Sequence, residues 1–318
     1  MSIAVSQPTT VTATPGGLTP EQVASYHENG FIIVENALDA GEIERLNRDA
    51  VDICRGRYGQ YQGWQGPHDD QADDQVLAGY LCIHFPHKVS RIMSEALGHA
   101  VMRDVLSKVI GPNVKCMQSM LFIKASGKPG QAWHQDEYFI PTRDRSLTGG
   151  WIALDDATTE NGCLWVIPGS HKHGVIWPQH QQADPRFDCS GEAGGFPYTD
   201  DDAIAVEVPA GSIVFFNGYL LHRSLPNRTE GGYRRVLVNH YMSAESLLPW
   251  GRMVDDPKYQ KAGDPVEHTT PVAIGDMRDI VMICGDDPYA WKGLDDRMRP
   301  HVRPSGEGGC GGTPKSKT

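Results

Sequence analysis

Two rhythms of apolar and polar positions divide the chain near residue 113. Ahead of it the signals are helical. Thr19-Pro20-Glu21-Gln22 combines an N-cap hydroxyl, a proline at the first helical position and a capping-box side chain at the third, and Val23 and Tyr26 follow on one face. Residues 31–34 read as a short buried strand, residues 40–53 as a second helix through Leu46, and residues 89–97 as another helix. Beyond Asn113 the apolar residues come in short runs broken by Gly, Pro and Asp, at 114–123, 150–154, 163–167, 203–208, 212–216 and 235–242. Runs of that length and spacing predict the strands of a sandwich or barrel. No repeat or hard linker separates the two textures, so the expectation is one mainly β domain over residues 18–303, buttressed by helices. Residues 1–17 and 304–318, rich in Thr, Ser, Pro, Gly and Lys, read as a flexible extension and a flexible tail. Two long irregular stretches, 55–75 and 177–202, read as lids or binding loops.

Composition narrows the partners. Twenty-nine basic against forty acidic residues leave a formal charge of −11, which disfavours gripping nucleic acid or an anionic membrane through a general positive field. A small-molecule partner fits better, and oligomeric state stays open. The seven cysteines are odd in number and form no C-x-x-C pair, which argues against a disulfide framework or zinc knuckle and for reduced thiols in a cytoplasmic protein. The first residues lack a signal-peptide pattern, and no apolar run is long enough to span a bilayer.

The candidate chemistry starts at His134-Gln135-Asp136. On an extended strand, residues two apart share a face, so the imidazole and the carboxylate would form a chelating pair. Pairs of this kind also occur as plain surface or hydrogen-bonding residues. His222, after the apolar run at 213–216 and Tyr219-Leu220-Leu221, is the best third ligand. Two histidines and one carboxylate make the facial triad of non-haem iron(II), with coordination positions left open.

With these residues in view, the chain resembles the phytanoyl-CoA dioxygenase family of iron(II)- and 2-oxoglutarate-dependent oxygenases. The matching landmarks run from Glu28-Asn29-Gly30-Phe31 through His134-Gln135-Asp136, Trp151 with Leu154, Asn161-Gly162-Cys163-Leu164, Pro168-Gly169-Ser170-His171 and Gly211-Ser212 to His222, Ser224, Asn227 and Arg234. The resemblance implies a double-stranded β-helix, or cupin-like jelly roll. It also implies His134, Asp136 and His222 as iron ligands, with dioxygen and 2-oxoglutarate as cosubstrates. Arg234 would take the distal carboxylate of 2-oxoglutarate, in the two-pronged manner a planar guanidinium allows. Ser224 would add a hydroxyl donor, Trp151 would pack along the cosubstrate and Gln118 would bond its metal-proximal end.

Alternatives remain at several of these positions. The stretch after His222 is one residue longer than the family pattern, so Arg235 competes with Arg234; neighbouring strand residues point oppositely, and only one can face inward. Trp151 equally reads as core, Ser224 as a turn cap and Gln118 as a partner for backbone. His84 and His87 read as a loop pair, His171 and His173 as turn residues. Asp136 argues against halogenation, since halogenases of this fold carry a small residue there, and the implied reaction is hydroxylation of an aliphatic C–H bond. Desaturation, epoxidation or ring formation use the same metal site. Rival readings are a cupin-like isomerase, a dioxygenase independent of 2-oxoglutarate and a non-catalytic binding protein. For the substrate, Arg55, Arg57, Arg143 and Arg145 suggest a basic rim, and Tyr58, Tyr61, Trp64, Trp177 and Phe187 an aromatic closure.

Overall fold

The computed structural model describes residues 9–12, 17–188, 191–246, 279–294, 296 and 298–303. The tail from 304 lies outside these residues, as does most of the N-terminal extension. Three of the extension's residues instead form a strand, β1 (Thr10–Thr12), parallel to β2 (Phe31–Glu35). Helix α1 (Pro20–Asn29) begins where its capping box requires: Thr19 Oγ1 accepts from Gln22 N at 3.3 Å and Gln22 Oε1 accepts from Thr19 N at 2.7 Å. It ends at Gly30, whose φ of 83° turns the chain straight into β2. A second capping box at Asp39 opens α2 (Ala40–Cys54). Short elements follow: α3 (Asp73–Ala78), β3 (Cys82–His84), α4 (Arg91–Leu97) and α5 (Ala100–Val109).

The β region begins with β4 (Val114–Ala125), β5 (Gln131–His134), a single turn α6 (Asp136–Phe139), β6 (Thr148–Ala153) and β7 (Leu164–Val166). The second long stretch, expected to be irregular, contains a hairpin of β8 (Gln179–Gln181) and β9 (Gly191–Ala193). Then come β10 (Ile204–Val206), β11 (Ile213–Asn217), β12 (His222–Ser224), β13 (Tyr233–Ser243), β14 (Val281–Cys284) and β15 (His301–Arg303).

These strands form two main sheets. The larger runs β1-β2-β11-β6-β13-β4-β3-β15, with β14 also on β4; the smaller runs β10-β7-β12-β5. Alternation gives the larger sheet two apolar faces. Its outer face carries Ile152, Ile213, Phe215 and Leu237, which pack with Leu46 and Ile53 of α2 and Met102 and Leu106 of α5. Its inner face carries Trp151, Val214, Phe216, Val236 and Val238, which pack with Leu164 and Val166 of the smaller sheet. Sheets packed in this way are the jelly-roll core. The irregular register between β13 and β4 opposite His240 and Tyr241 inserts an extra residue at Met117. It lets Cys116 join the outer cluster while Gln118 lines the interior. Among the described residues no helix is long and apolar enough to cross a membrane.

Candidate active site

His134 and His222 stand opposite each other in the register of β5 and β12, with ring centroids 4.1 Å apart. Asp136 reaches them by a different route from the extended strand expected. β5 ends at His134, Gln135 is extended, and Asp136 is the first residue of α6. Gln135 pins this corner: its Nε2 donates to Tyr219 O at 2.7 Å and Val175 O at 2.9 Å, and its Oε1 accepts from Trp177 N at 2.8 Å. Asp136 Oδ1 therefore lies 3.8 Å from His134 Nε2 and 3.5 Å from His222 Nε2, and one ligand atom from each residue falls within 4.8 Å of the others.

The ring orientations suit a metal. His134 Nδ1 bonds Ala132 O at 2.8 Å and His222 Nδ1 bonds Leu220 O at 2.9 Å. A carbonyl can only accept, so each Nδ1 carries the proton and each Nε2 offers a lone pair toward the shared point. Burial, then the neighbouring His222, pushes His134 down to about 3. Burial works against an ionised Asp136, but His222 and His240 outweigh it and hold the carboxyl well below its usual range. Burial likewise opposes a charged His222, and Asp136 raises it regardless. Two imidazoles and one carboxylate at these separations fit a divalent metal of the non-haem iron type.

His240 was not singled out from sequence. Its Nε2 lies 3.1 Å from Asp136 Oδ2, so one carboxylate oxygen faces the two metal-binding nitrogens while the other is held from behind. The signal was parity: His240 lies six positions beyond Arg234 on one strand, and both face inward.

These residues open into a cavity of about 300 Å³ between the sheets. Gln118, Met120 and Phe122 line it from alternate positions of β4, and Arg234, Val238 and His240 from β13. Arg234 is only 3% exposed and lies 5.6 Å from the Trp151 ring centroid, and its buried guanidinium Nε has no hydrogen-bond acceptor among the described residues. Burial lowers its pKa to about 10, which leaves it charged at neutral pH. Arg235 points the other way, holding Asp155 with Nη2 to Oδ1 at 2.6 Å and Nε to Oδ2 at 2.8 Å. Ser224 lines the cavity beside Arg234, and Gln118 Nε2 donates to His84 Nδ1 at 3.2 Å. His84 itself lines the cavity and stacks on His301 with centroids 4.6 Å apart.

Other candidates lie elsewhere. Arg55 is tied to Asp73 and to the carbonyls of His68 and Gln71. Tyr58, Tyr61 and Trp64 bond Asp49, Ile53 O and Cys54 O, so they anchor their loop rather than cover the cavity. His171 bonds His27 O and His173 bonds Tyr198. Arg303, from the C-terminal edge strand, enters the cavity without having been anticipated.

A profile of the phytanoyl-CoA dioxygenase family matches residues 26–236. A phytanoyl-CoA dioxygenase of Arabidopsis thaliana is 28% identical over 244 residues, covering 67% of this chain and 84% of its own. The human peroxisomal phytanoyl-CoA dioxygenase is 28% identical over 240 residues, covering 72% and 69% respectively. Among solved structures, the non-haem monooxygenase ThoJ superposes with a TM-score of 0.60 at 20% identity, over 84% of each chain. The α-ketoglutarate-dependent carbocyclase SnoK from nogalamycin biosynthesis gives 0.57 at 20% identity, over 84% of this chain and 96% of its own. EctD from S. alaskensis, solved with 2-oxoglutarate and 5-hydroxyectoine, gives 0.54 at 21% identity, over 73% and 78%.

Proposed function

Because the chain belongs to the phytanoyl-CoA dioxygenase family, we propose that it is an iron(II)- and 2-oxoglutarate-dependent dioxygenase that hydroxylates an aliphatic C–H bond of a small organic metabolite, with release of succinate and CO2. The observation that carries this reading is the meeting, in one cavity, of the His134-Asp136-His222 cluster and a buried guanidinium whose Nε has no acceptor among the described residues. Bound iron(II) supplies open coordination positions for 2-oxoglutarate and dioxygen.

Everything else falls to the chain's own side chains. The backbone bonds at Ala132 and Leu220 fix the two imidazoles, and His240 turns Asp136 so that Oδ1 is presented to the metal. Arg234 takes the distal carboxylate of 2-oxoglutarate, with Trp151 restricting the guanidinium from one side and Ser224 offering a hydroxyl. Gln118 stands at the metal end. Met120, Phe122, Phe216 and Val238 keep water away from the reacting centre. A cavity of about 300 Å³ suits the reacting part of a small molecule once the cosubstrate is seated. That size favours a compact metabolite over an extended conjugate held wholly inside. The cupin-like alternatives without 2-oxoglutarate leave Arg234 unexplained.

The test is to supply iron(II), 2-oxoglutarate and isotopically labelled dioxygen with a panel of alkyl-bearing metabolites, and to quantify succinate and labelled product. Succinate formed in step with singly labelled alcohol is the expected result. Product formed without 2-oxoglutarate consumption would move the protein to an isomerase or an independent dioxygenase. Failure to bind iron(II) would make it a binding protein.

A further inference from the structure

Lys124 continues the inward series Gln118, Met120 and Phe122 on β4 and pairs with Arg234 across the register to β13. It is 2% exposed. Its ammonium donates to Leu225 O at 2.6 Å, Ser224 Oγ at 2.9 Å and Gly162 O at 3.3 Å. An ammonium has three protons, and here all three go to neutral oxygens. Gly162 is placed for this approach: its φ is 82°, and a Cβ there would lie 2.9 Å from Lys124 Nζ. Lys124 and Arg234 thus form two neighbouring buried cations, and among the described residues neither has a carboxylate in ion-pair range. Buried charge without compensation is unfavourable, so this end of the cavity is built to gain from an anion.

Ser224 carries the second half of the argument. Its Oγ accepts from Lys124 Nζ and from Gln131 N at 3.3 Å. A hydroxyl oxygen has two lone pairs, and both are engaged, which leaves its own proton as a donor into the cavity that Ser224 lines with Arg234. Without Lys124, the neighbouring carbonyl of Leu225 would compete for that proton.

We infer that Lys124 is a positioning residue for the distal carboxylate of the cosubstrate, aiming the Ser224 hydroxyl at it and adding a second positive charge beside Arg234. This rests on the 2-oxoglutarate reading above. Burial, then the nearby Arg234, lowers the Lys124 pKa well below the usual lysine value and Asp188 works against that shift, so an anion bound beside Arg234 would further favour the charged ammonium.

The experiment is an anaerobic titration of the iron(II) protein with 2-oxoglutarate and with 2-oxopentanoate, which keeps the chelating 2-oxo acid and lacks the distal carboxylate. Binding is read from the metal-to-ligand charge-transfer absorbance, independent of turnover. Lys124→Met should weaken 2-oxoglutarate by about tenfold or more, the scale of a lost hydrogen bond to a charged group, and leave 2-oxopentanoate unchanged. Equal weakening of both acids would reveal a purely structural lysine, and no change in either would remove it from the site. Should Lys124→Met fail to fold, Lys124→Gln, which keeps a polar end without the charge, faces the same comparison. A wild-type protein that binds iron(II) yet shows no charge-transfer band with 2-oxoglutarate would overturn the cosubstrate reading itself, and this inference with it.

Discussion

Arg234 and Arg303 are both buried, both line the cavity and both lie against an aromatic ring, Trp151 at 5.6 Å and Phe122 at 5.9 Å. Arg303 donates to Asp188 Oδ2 at 2.5 Å. Asp188 in turn donates its N–H to Gly130 O, so the pair ties edge strand β15 to the segment beside β5. Arg234 has no such partner among the described residues. A buried guanidinium that holds its own carboxylate has its charge compensated within the fold and is costly to separate from it, whereas one without a carboxylate is left able to gain from an anionic ligand. Arg235 repeats the first case nearer the surface, on Asp155. The family profile ends at residue 236, so Arg234 lies inside it and the Arg303 edge outside.

The largest effect expected is at the metal. His222→Ala removes one of three ligand atoms, and coupled 2-oxoglutarate turnover should be abolished, as checked by succinate release; retained turnover would remove His222 from the ligand set. Next is the paired arginine. Asp188→Asn leaves the Arg303 charge buried without its carboxylate and should lower stability by about 3–5 kcal/mol in denaturant unfolding, with 2-oxoglutarate affinity little changed. The reverse pattern would make Arg303, not Arg234, the cosubstrate anchor. Arg234→Ala should cost about 2–5 kcal/mol of 2-oxoglutarate binding while iron binding survives and the melting temperature holds, because no protein partner is orphaned. A fall in stability without a fall in affinity would place Arg234 with the structural arginines. The smallest effect belongs to Arg235→Ala, about 1 kcal/mol or less of stability for a pair near the surface, with no change in 2-oxoglutarate affinity.

The strands and helices that local pattern reveals were legible in the sequence, from the capping box at Thr19 to the alternating run on β13. So were His134, Asp136 and His222 as residues that come together. The route by which they do so was not, since nothing in H-x-D separates a continuing strand from a strand that stops at His134 and turns under the grip of Gln135. His240 and Lys124 share the inward parity of Arg234 and Gln118, but parity becomes a contact only once the neighbouring strands are known. Carrying the Gln118 series backward would also fail, because the extra residue at Met117 flips the face. Arg303 was hidden for a different reason: its place depends on β15 pairing with β3, more than two hundred residues earlier, and no local spacing encodes that pairing.

The most direct measurement is a crystal structure of the anaerobic protein with iron(II) and 2-oxoglutarate. The expected density places the metal between His134, Asp136 and His222 and the distal carboxylate against the Arg234 guanidinium and the Ser224 hydroxyl, with Arg303 still on Asp188. A cosubstrate carboxylate seated on Arg303, with Arg234 untouched, would contradict the distinction drawn between the two arginines.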